Sequence, residues 1–257
     1  MNNQPNVLIT GASRGIGKAL AYRYAEEGAR LVLLARDTDA LNGIADDLQR
    51  FHTEIHWMHC DVAKREDVRS AIEFAIEKLG HIDIAILNAG VGAPQWLDEF
   101  DYQEARQVFE VNVFGLIHGI EALIPLFRTQ GSGVIVGVSS ISDVRGFPGS
   151  ASYCSSKAAA STFLESARVQ LKPYGIDVIT VRPGFVTTDM AMRNEFYMPF
   201  LMSAEKAARI IVKGIRKKKS VIQFPRPIVL STQLIRLIPN WIFDPLSRFA
   251  RPKRTAT

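Results

Sequence analysis

The stretch TGASRGIG, residues 10–17, decides how this chain is read. An apolar run, NVLIT (6–10), leads into it, and a helical pattern, KALAYRYAEEG (18–28), leaves it. A strand, a glycine-rich turn and a helix in that order aim free backbone N–H groups at whatever lies before the helix. Gly11 permits the tight turn. Gly15 and Gly17 let the backbone approach a phosphate and let the helix pack on the sheet. A glycine fingerprint alone is weak, but this one has the strand–turn–helix context that a dinucleotide site requires. Its spacing is G-x-x-x-G-x-G rather than G-x-G-x-x-G.

Outward from that turn, short apolar runs alternate with helical patterns. RLVLLA (30–35) precedes a helix around 38–51, and EIHWMHC (54–60) precedes one around 64–79. IDIAIL (82–87) is followed by a loop and a long helix through about 103–129. GVIVGVS (133–139), IDVITV (176–181) and SVIQF (220–224) complete the strand-like runs, with a last helix near 204–217. Such alternation predicts βαβ units and a parallel sheet covered on both faces, an α/β fold. Residues 1–224 read as one dinucleotide-binding domain of this kind and 225–257 as a distinct tail.

At 257 residues, with 47% hydrophobic and 22% charged, the chain has the composition of an ordinary globular protein. Its two cysteines, Cys60 and Cys154, form no CxxC, which argues against a disulfide framework or a structural zinc site. The five histidines show no ligand spacing, so no metal is expected. Without a signal-like N-terminus or a run of 18 apolar residues, a cytoplasmic setting is the expectation. The net charge of +5 comes from the tail region: residues 216–257 carry ten Lys/Arg and one acid, Asp244. The body is slightly acidic, which argues against nucleic-acid binding.

The end of the second strand bears on which dinucleotide binds. An NAD site places an acid there to hold the ribose hydroxyls. Here Ala35 stands in that place, Arg36 follows it, and Arg14 lies inside the glycine turn. Two guanidiniums suit a 2′-phosphate, so NADP(H) is expected in preference to NAD(H). A second stretch, ASYCSSKAAA (151–160), puts Tyr153 four residues before Lys157, one turn apart on the same helix face. A lysine there is expected to lower the phenol's pKa and make it a general acid or base.

Further markers fall in order: NAG (88–90), NVFG (112–115), Ser139 and Ser140, YCSSK (153–157) and PGFVTT (183–188). Together with TGASRGIG, they resemble the classical short-chain dehydrogenase/reductase family over roughly residues 5–222. One departure is Leu87, where many relatives carry another Asn before NAG. The resemblance implies a three-layer, doubly wound Rossmann-type fold with a seven-stranded parallel sheet. It implies a tetrad in which Tyr153 is the acid/base, Lys157 tunes it and bonds the nicotinamide ribose, Ser140 holds the substrate oxygen, and Asn112 anchors a water. Ser140 is chosen over Ser139 because it lies thirteen residues before Tyr153. It also implies cofactor contacts from Gly11, Ser13, Arg14, Ile16, Arg36, Asp61, Val62, Asn88, Ala89, Gly90, Val186 and Thr188, besides Tyr153 and Lys157. Asp61 would meet the adenine edge and Thr188 the carboxamide. The expected activity is hydride transfer between NADP(H) and a carbonyl or secondary alcohol. The alternative is a non-catalytic NADPH sensor or membrane-docking protein.

Two apolar segments remain. Residues 189–202 would form a substrate lid, and Met192, Phe196, Tyr197, Met198, Phe200, Leu201 and Met202 make it suited to a hydrophobic substrate. In the tail, Leu230, Leu234, Leu237 and Trp241 fall at helical spacing, broken by Pro239 and surrounded by basic residues. That pattern suits a subunit interface or a cleft cover, and also peripheral contact with an anionic membrane. The resemblance implies a homo-oligomer, a dimer or tetramer.

Overall fold

Apolar runs of four to eight residues, rich in Val, Ile and Leu, become seven strands. The computed structural model describes residues 4–92, 94–193 and 198–248. Its strands are β1 (Asn6–Thr10), β2 (Arg30–Ala35), β3 (Ile55–His59), β4 (Ile84–Leu87), β5 (Gly133–Val138), β6 (Ile176–Pro183) and β7 (Val221–Phe224). They pair in parallel, in the order β3-β2-β1-β4-β5-β6-β7. The chain builds outward from β1 to β3, then returns to place β4 on the other side of β1. That reversal leaves a crevice beyond the C-terminal ends of β1 and β4, where such sheets bind ligands.

Side chains alternate across each strand, so both faces of the sheet are buried. Val7 and Ile9 of β1 face one core layer, which they share with α1 (Gly15–Glu26), α2 (Thr38–Leu48) and α7 (Ala204–Arg216). Leu8 faces the other layer, with α3 (Arg65–Leu79), α5 (Gly115–Gln130) and α6 (Ala151–Leu171). The remaining helices are α4 (Tyr102–Phe109), α8 (Arg226–Leu237) and α9 (Asn240–Arg248). This is the doubly wound, seven-stranded Rossmann-type architecture.

The structure refines the expected elements in three places. The helix expected over 103–129 is not uniform: α4 passes through a π-helical turn, Glu110–Phe114, into α5. Inserted π turns recur at functional sites, and this one carries Asn112. By length and composition the combined helix could cross a membrane, but Leu116, Ile120, Leu123 and Phe127 pack it into the second core layer. The helix expected to 51 ends at Leu48 and finishes as a 3₁₀ turn, Gln49–Phe51. Third, β4 is shorter than its apolar run, because Asp83 precedes it and donates its N–H to Asn6 O.

The tail leaves the sheet edge at Phe224 and turns into α8. Ile228 and Val229 of α8 pack on Ile141 and Phe185. Arg145 fixes the turn between α8 and α9, donating to the carbonyls of Ile235 and Ile238 and to Asn240 Oδ1 at 2.5 to 2.9 Å. Its guanidinium also lies 3.8 Å from the centre of the Phe243 ring. Phe196 and Tyr197 of the expected lid, and the tail's Arg251, Lys253 and Arg254, lie outside the described residues. The basic run after α7 is exposed. Arg216 pairs with Glu27, and Lys218 lies 3.2 Å from Asp177.

Candidate active site

The glycine turn works by clearance. A Cβ on Gly17 would lie 2.2 Å from Gly11 O and 2.6 Å from Asn88 Nδ2, and one on Gly11 would lie 2.8 Å from Ala89 Cα. The turn after β1 and the NAG segment after β4 are therefore in backbone contact. Thr10 joins them: its Oγ1 accepts the N–H groups of Asn88 and Ala89 at 3.0 and 3.1 Å. Asn88 Nδ2 returns bonds to Thr10 O and Gly11 O at 3.0 and 3.2 Å. The N-terminus of α1 opens beside this joint. Arg14 caps it with backbone only, no side chain accepts its first N–H groups, and its first turn holds no acid. Unsatisfied N–H groups with nothing anionic beside them form a ready anion site. These features fit the diphosphate of a dinucleotide.

A cleft of about 470 Å³ runs from that turn across the C-terminal ends of the strands. Gly11, Ser13, Arg14, Ile16, Arg36, Asp61, Val62, Asn88, Ala89, Gly90, Val186 and Thr188 all line it, together with Ser140, Tyr153 and Lys157. Asn112 lies behind it, lining a separate space of about 10 Å³ with Thr10. Thus sequence positions from 11 to 188 converge on one crevice, and Asn112 supports it from the rear.

At the far end from β2, α6 presents Tyr153 and Lys157 on one face. Lys157 is 4% exposed, and its Nζ donates to Val138 O at 3.0 Å. Burial lowers its pKa to about 8, against the opposing charge of Asp143. Tyr153 leans on Gly92, where a Cβ would sit 2.7 Å from the ring. Burial holds its phenol above the ordinary tyrosine value, while a hydrogen bond with the Ser140 side chain pulls it down. The expectation that Lys157 lowers the Tyr153 pKa is corrected for the chain by itself. Lys157 Nζ lies 5.8 Å from the ring centre and spends a hydrogen on Val138 O, so desolvation outweighs its influence on the phenol.

The two serines have different surroundings. Ser139 Oγ lies 2.9 Å from Lys157 O and 2.8 Å from Ser161 Oγ, inside the protein. Ser140 Oγ accepts Ser142 N–H at 3.1 Å and shares its own hydrogen with the Tyr153 phenol, so the two hydroxyls meet in the cleft. Asn112 Oδ1 accepts Val91 N–H at 2.8 Å, and its Nδ2 donates to Val91 O and Ser156 Oγ at 2.9 and 3.0 Å. The side chain thereby spends both N–H groups on protein, and its visible work is to fix Val91 against α6.

At the β2 end, Arg14 and Arg36 are both exposed to the cleft. The acid next in sequence, Asp37, also lines it, but its side chain caps α2 by accepting Ala40 N–H at 3.0 Å. Arg14 is 3.9 Å from Asp189 across the cleft mouth, an exposed pair that water screens. Thr188 Oγ1 accepts Ala191 N–H at 3.2 Å, and Asp61 Oδ1 accepts Ala63 N–H at 3.2 Å. Cys60 also faces the cleft, but burial raises its thiol to about 12, which leaves it inert near neutral pH. The sequence reading missed Thr10, Asp37 and Gly92. A Thr closing β1 and a Gly two residues past NAG were the signals available.

A family model described as "short chain dehydrogenase" matches residues 5–196. An uncharacterised oxidoreductase of Myxococcus xanthus is 33% identical over 244 residues, covering 95% of this chain and 96% of its own. Among solved structures, an alcohol dehydrogenase from Thermococcus sibiricus complexed with 5-hydroxy-NADP superposes with a TM-score of 0.77 at 28% identity. It covers 86% of this chain and 95% of its own. A 7α-hydroxysteroid dehydrogenase complexed with NADH and 7-oxo glycochenodeoxycholic acid gives 0.79 at 27% identity, covering 86% and 92%. A glycine turn locked to NAG, a cleft across the strand ends, and a match over most of the chain agree: this protein belongs to the short-chain dehydrogenase family of oxidoreductases.

Proposed function

We propose that the protein is an NADP(H)-dependent reductase of an apolar carbonyl compound, working equally as a dehydrogenase of the matching alcohol. The observation that carries this reading is the placement of Ser140, Tyr153 and Lys157 around one end of a cleft whose other end holds a free helix N-terminus and two guanidiniums. Bound NADPH would supply the hydride. Tyr153 would give its phenolic proton to the substrate oxygen as negative charge develops there. The Ser140 hydroxyl, held by Ser142 N–H, would donate a hydrogen bond to that oxygen. Buried Lys157, still charged near neutral pH with a pKa of about 8, would bond the nicotinamide ribose and favour proton return through Tyr153. Asn112 would steady the Val91 loop and the relay behind it.

NADP(H) is favoured because Arg14 and Arg36 reach the cleft where β2 ends, while Asp37 is committed to its cap. A charge-assisted hydrogen bond contributes about 1.5–3 kcal/mol, so the pair should give NADPH at least about a tenfold advantage. The relatives bind both kinds of dinucleotide, so they leave the choice to these residues. Side-by-side fluorescence titrations with NADPH and NADH at low salt test this. Replacing both arginines by Ala should erase the preference and leave NADH affinity within about twofold. Equal affinities in the unaltered chain would overturn it.

An apolar substrate is favoured by Met190 and Ala191 in the cleft lining and by the exposed Met192, Phe200 and Leu201 that follow them in the chain. The tail carries further exposed apolar side chains. The inner face of α8 covers the loop after Ser140, while Leu230, Leu234, Leu237 and Trp241 face outward. We propose that the outward face makes peripheral contact with an anionic bilayer, since exposed Arg226 and Arg236 flank exposed Leu230 and Leu234 on α8. Sedimentation with phosphatidylglycerol vesicles, but not phosphatidylcholine vesicles, is expected. A homo-oligomer would form through α5 and α6, leaving the tail free.

A further inference from the structure

Tyr153, Lys157 and Ser161 follow one another at four-residue spacing along one face of α6. The first two belong to the proposed chemistry; the third does not. Ser161 Oγ lies 2.5 Å from Asp143 Oδ2, and the other oxygen of that carboxylate is paired with Arg182. The Asp143 side chain is 2% exposed, so an ionisable group sits inside the protein three residues beyond Ser140. A buried carboxylate is costly unless paired and hydrogen-bonded. Fold stability alone gives no reason to place one here.

We propose that Asp143 is a positioning residue that braces the Ser140 loop, α6 and the end of β6 together and supplies the buried counter-charge for Lys157. This rests on the reductase reading of the same cleft. Three elements meet at its carboxylate. Its own segment, Ile141–Val144, begins at Ser140, and Asp143 N–H donates to Ser140 O at 3.3 Å. Ser161 brings α6, one turn past Lys157. Arg182 brings β6, and the next residues of that strand end, Pro183 to Val186, line the cleft. A shift of Asp143 would therefore move the serine, the Tyr/Lys face and the wall of the nicotinamide end relative to one another.

The ion pair with Arg182 makes Asp143 a carboxylate. Ser139 and Ser161 have one hydroxyl hydrogen each, yet three short contacts join Lys157 O, Ser139, Ser161 and Asp143. An ionised carboxylate only accepts, so it draws the Ser161 hydrogen and lets Ser139 donate to Ser161 or to Lys157 O. Arg182 Nε is buried without a partner, which marks the pair as held by its surroundings rather than idealised for itself. The groups facing Asp143 are few. Arg182 comes from β6, and Tyr153, Cys154, Lys157 and Ser161 from α6. From α8 the buried Ile228, Val229 and Thr232 face the segment that carries Asp143, and Arg145 is turned away to the α8–α9 corner. The negative charge favours the Lys157 ammonium and disfavours a Tyr153 phenolate, so it keeps the site loaded as a proton donor.

The test uses tyrosine labelled with ¹³C at Cζ in the full chain, with the Tyr153 signal assigned by its loss in Y153F. It needs no substrate, so its outcome is separate from whether the protein reduces carbonyls. Asp143→Asn keeps the shape and removes the charge. Tyr153 should then titrate at lower pH than in the unaltered chain, since a like charge no longer opposes the phenolate. Should that variant fail to fold with Arg182 unpaired, the double variant D143N/R182Q removes both charges. It should show a smaller shift in the same direction. Folded variants in which Tyr153 titrates as in the unaltered chain would reduce Asp143 to a structural brace and overturn its electrostatic role.

Discussion

The glycine turn and the C-terminal tail solve opposite problems. Around Gly11, Gly17 and Asn88, backbone meets backbone so closely that a single added carbon has no room. Around α8 and α9 the room is ample: Leu237 and Trp241 are 78% and 76% exposed. The first region gains its specificity from tolerance of almost no change, and the second presents surface that only another body can bury. Substitutions should therefore separate the two by the size of their effect.

The largest effect is expected at Gly17. In Gly17→Val the new side chain would enter Gly11 O and Asn88, so urea denaturation should show a loss of about 3 kcal/mol or more, and NADPH binding should disappear. Next comes Lys157→Met. Burial depresses the Lys157 pKa to about 8 from 10.5, so between those values the unfolded chain binds more protons than the folded one. Stability from this residue thus rises as pH climbs from about 8 to 10.5, and a penalty remains below 8. Thermal melts of the chain without cofactor should show that rise, and K157M should be more stable below pH 8 and lack it. A parallel pH dependence in both proteins would refute the buried charge. The smallest effect is expected in the tail: Leu237→Gln should change stability by no more than about 0.5 kcal/mol while weakening sedimentation with anionic vesicles. A large loss of stability there would mean that Leu237 is covered in the folded protein.

This contrast also explains what could be read from the residues. The strand runs and TGASRGIG announce the fold because periodicity and glycine clearance are local properties. The convergence of Gly11, Asn88, Tyr153 and Thr188 on one cleft was legible only through the family resemblance that the motifs carry. Asp143 and Arg182 did not announce themselves: they lie 39 residues apart, and each alone looks like a surface charge. The π turn at Asn112 was hidden because its sequence continues an ordinary helical pattern. The pKa of Tyr153 was misjudged because spacing reveals a neighbouring charge but not the cost of burying both groups.

The most direct test of the central claim follows the hydride and the proton donor together. The protein would be incubated with NADPH deuterated at the transferable position and a panel of apolar ketones and aldehydes, with mass spectrometry of the alcohols formed. Deuterium should appear on the carbinol carbon, and Tyr153→Phe should slow its transfer about 10²- to 10⁴-fold while NADPH affinity stays within about threefold. Transfer at an unchanged rate in that variant would contradict the role given to Tyr153, and no transfer to any member of the panel by the unaltered chain would favour a dinucleotide-sensing protein instead.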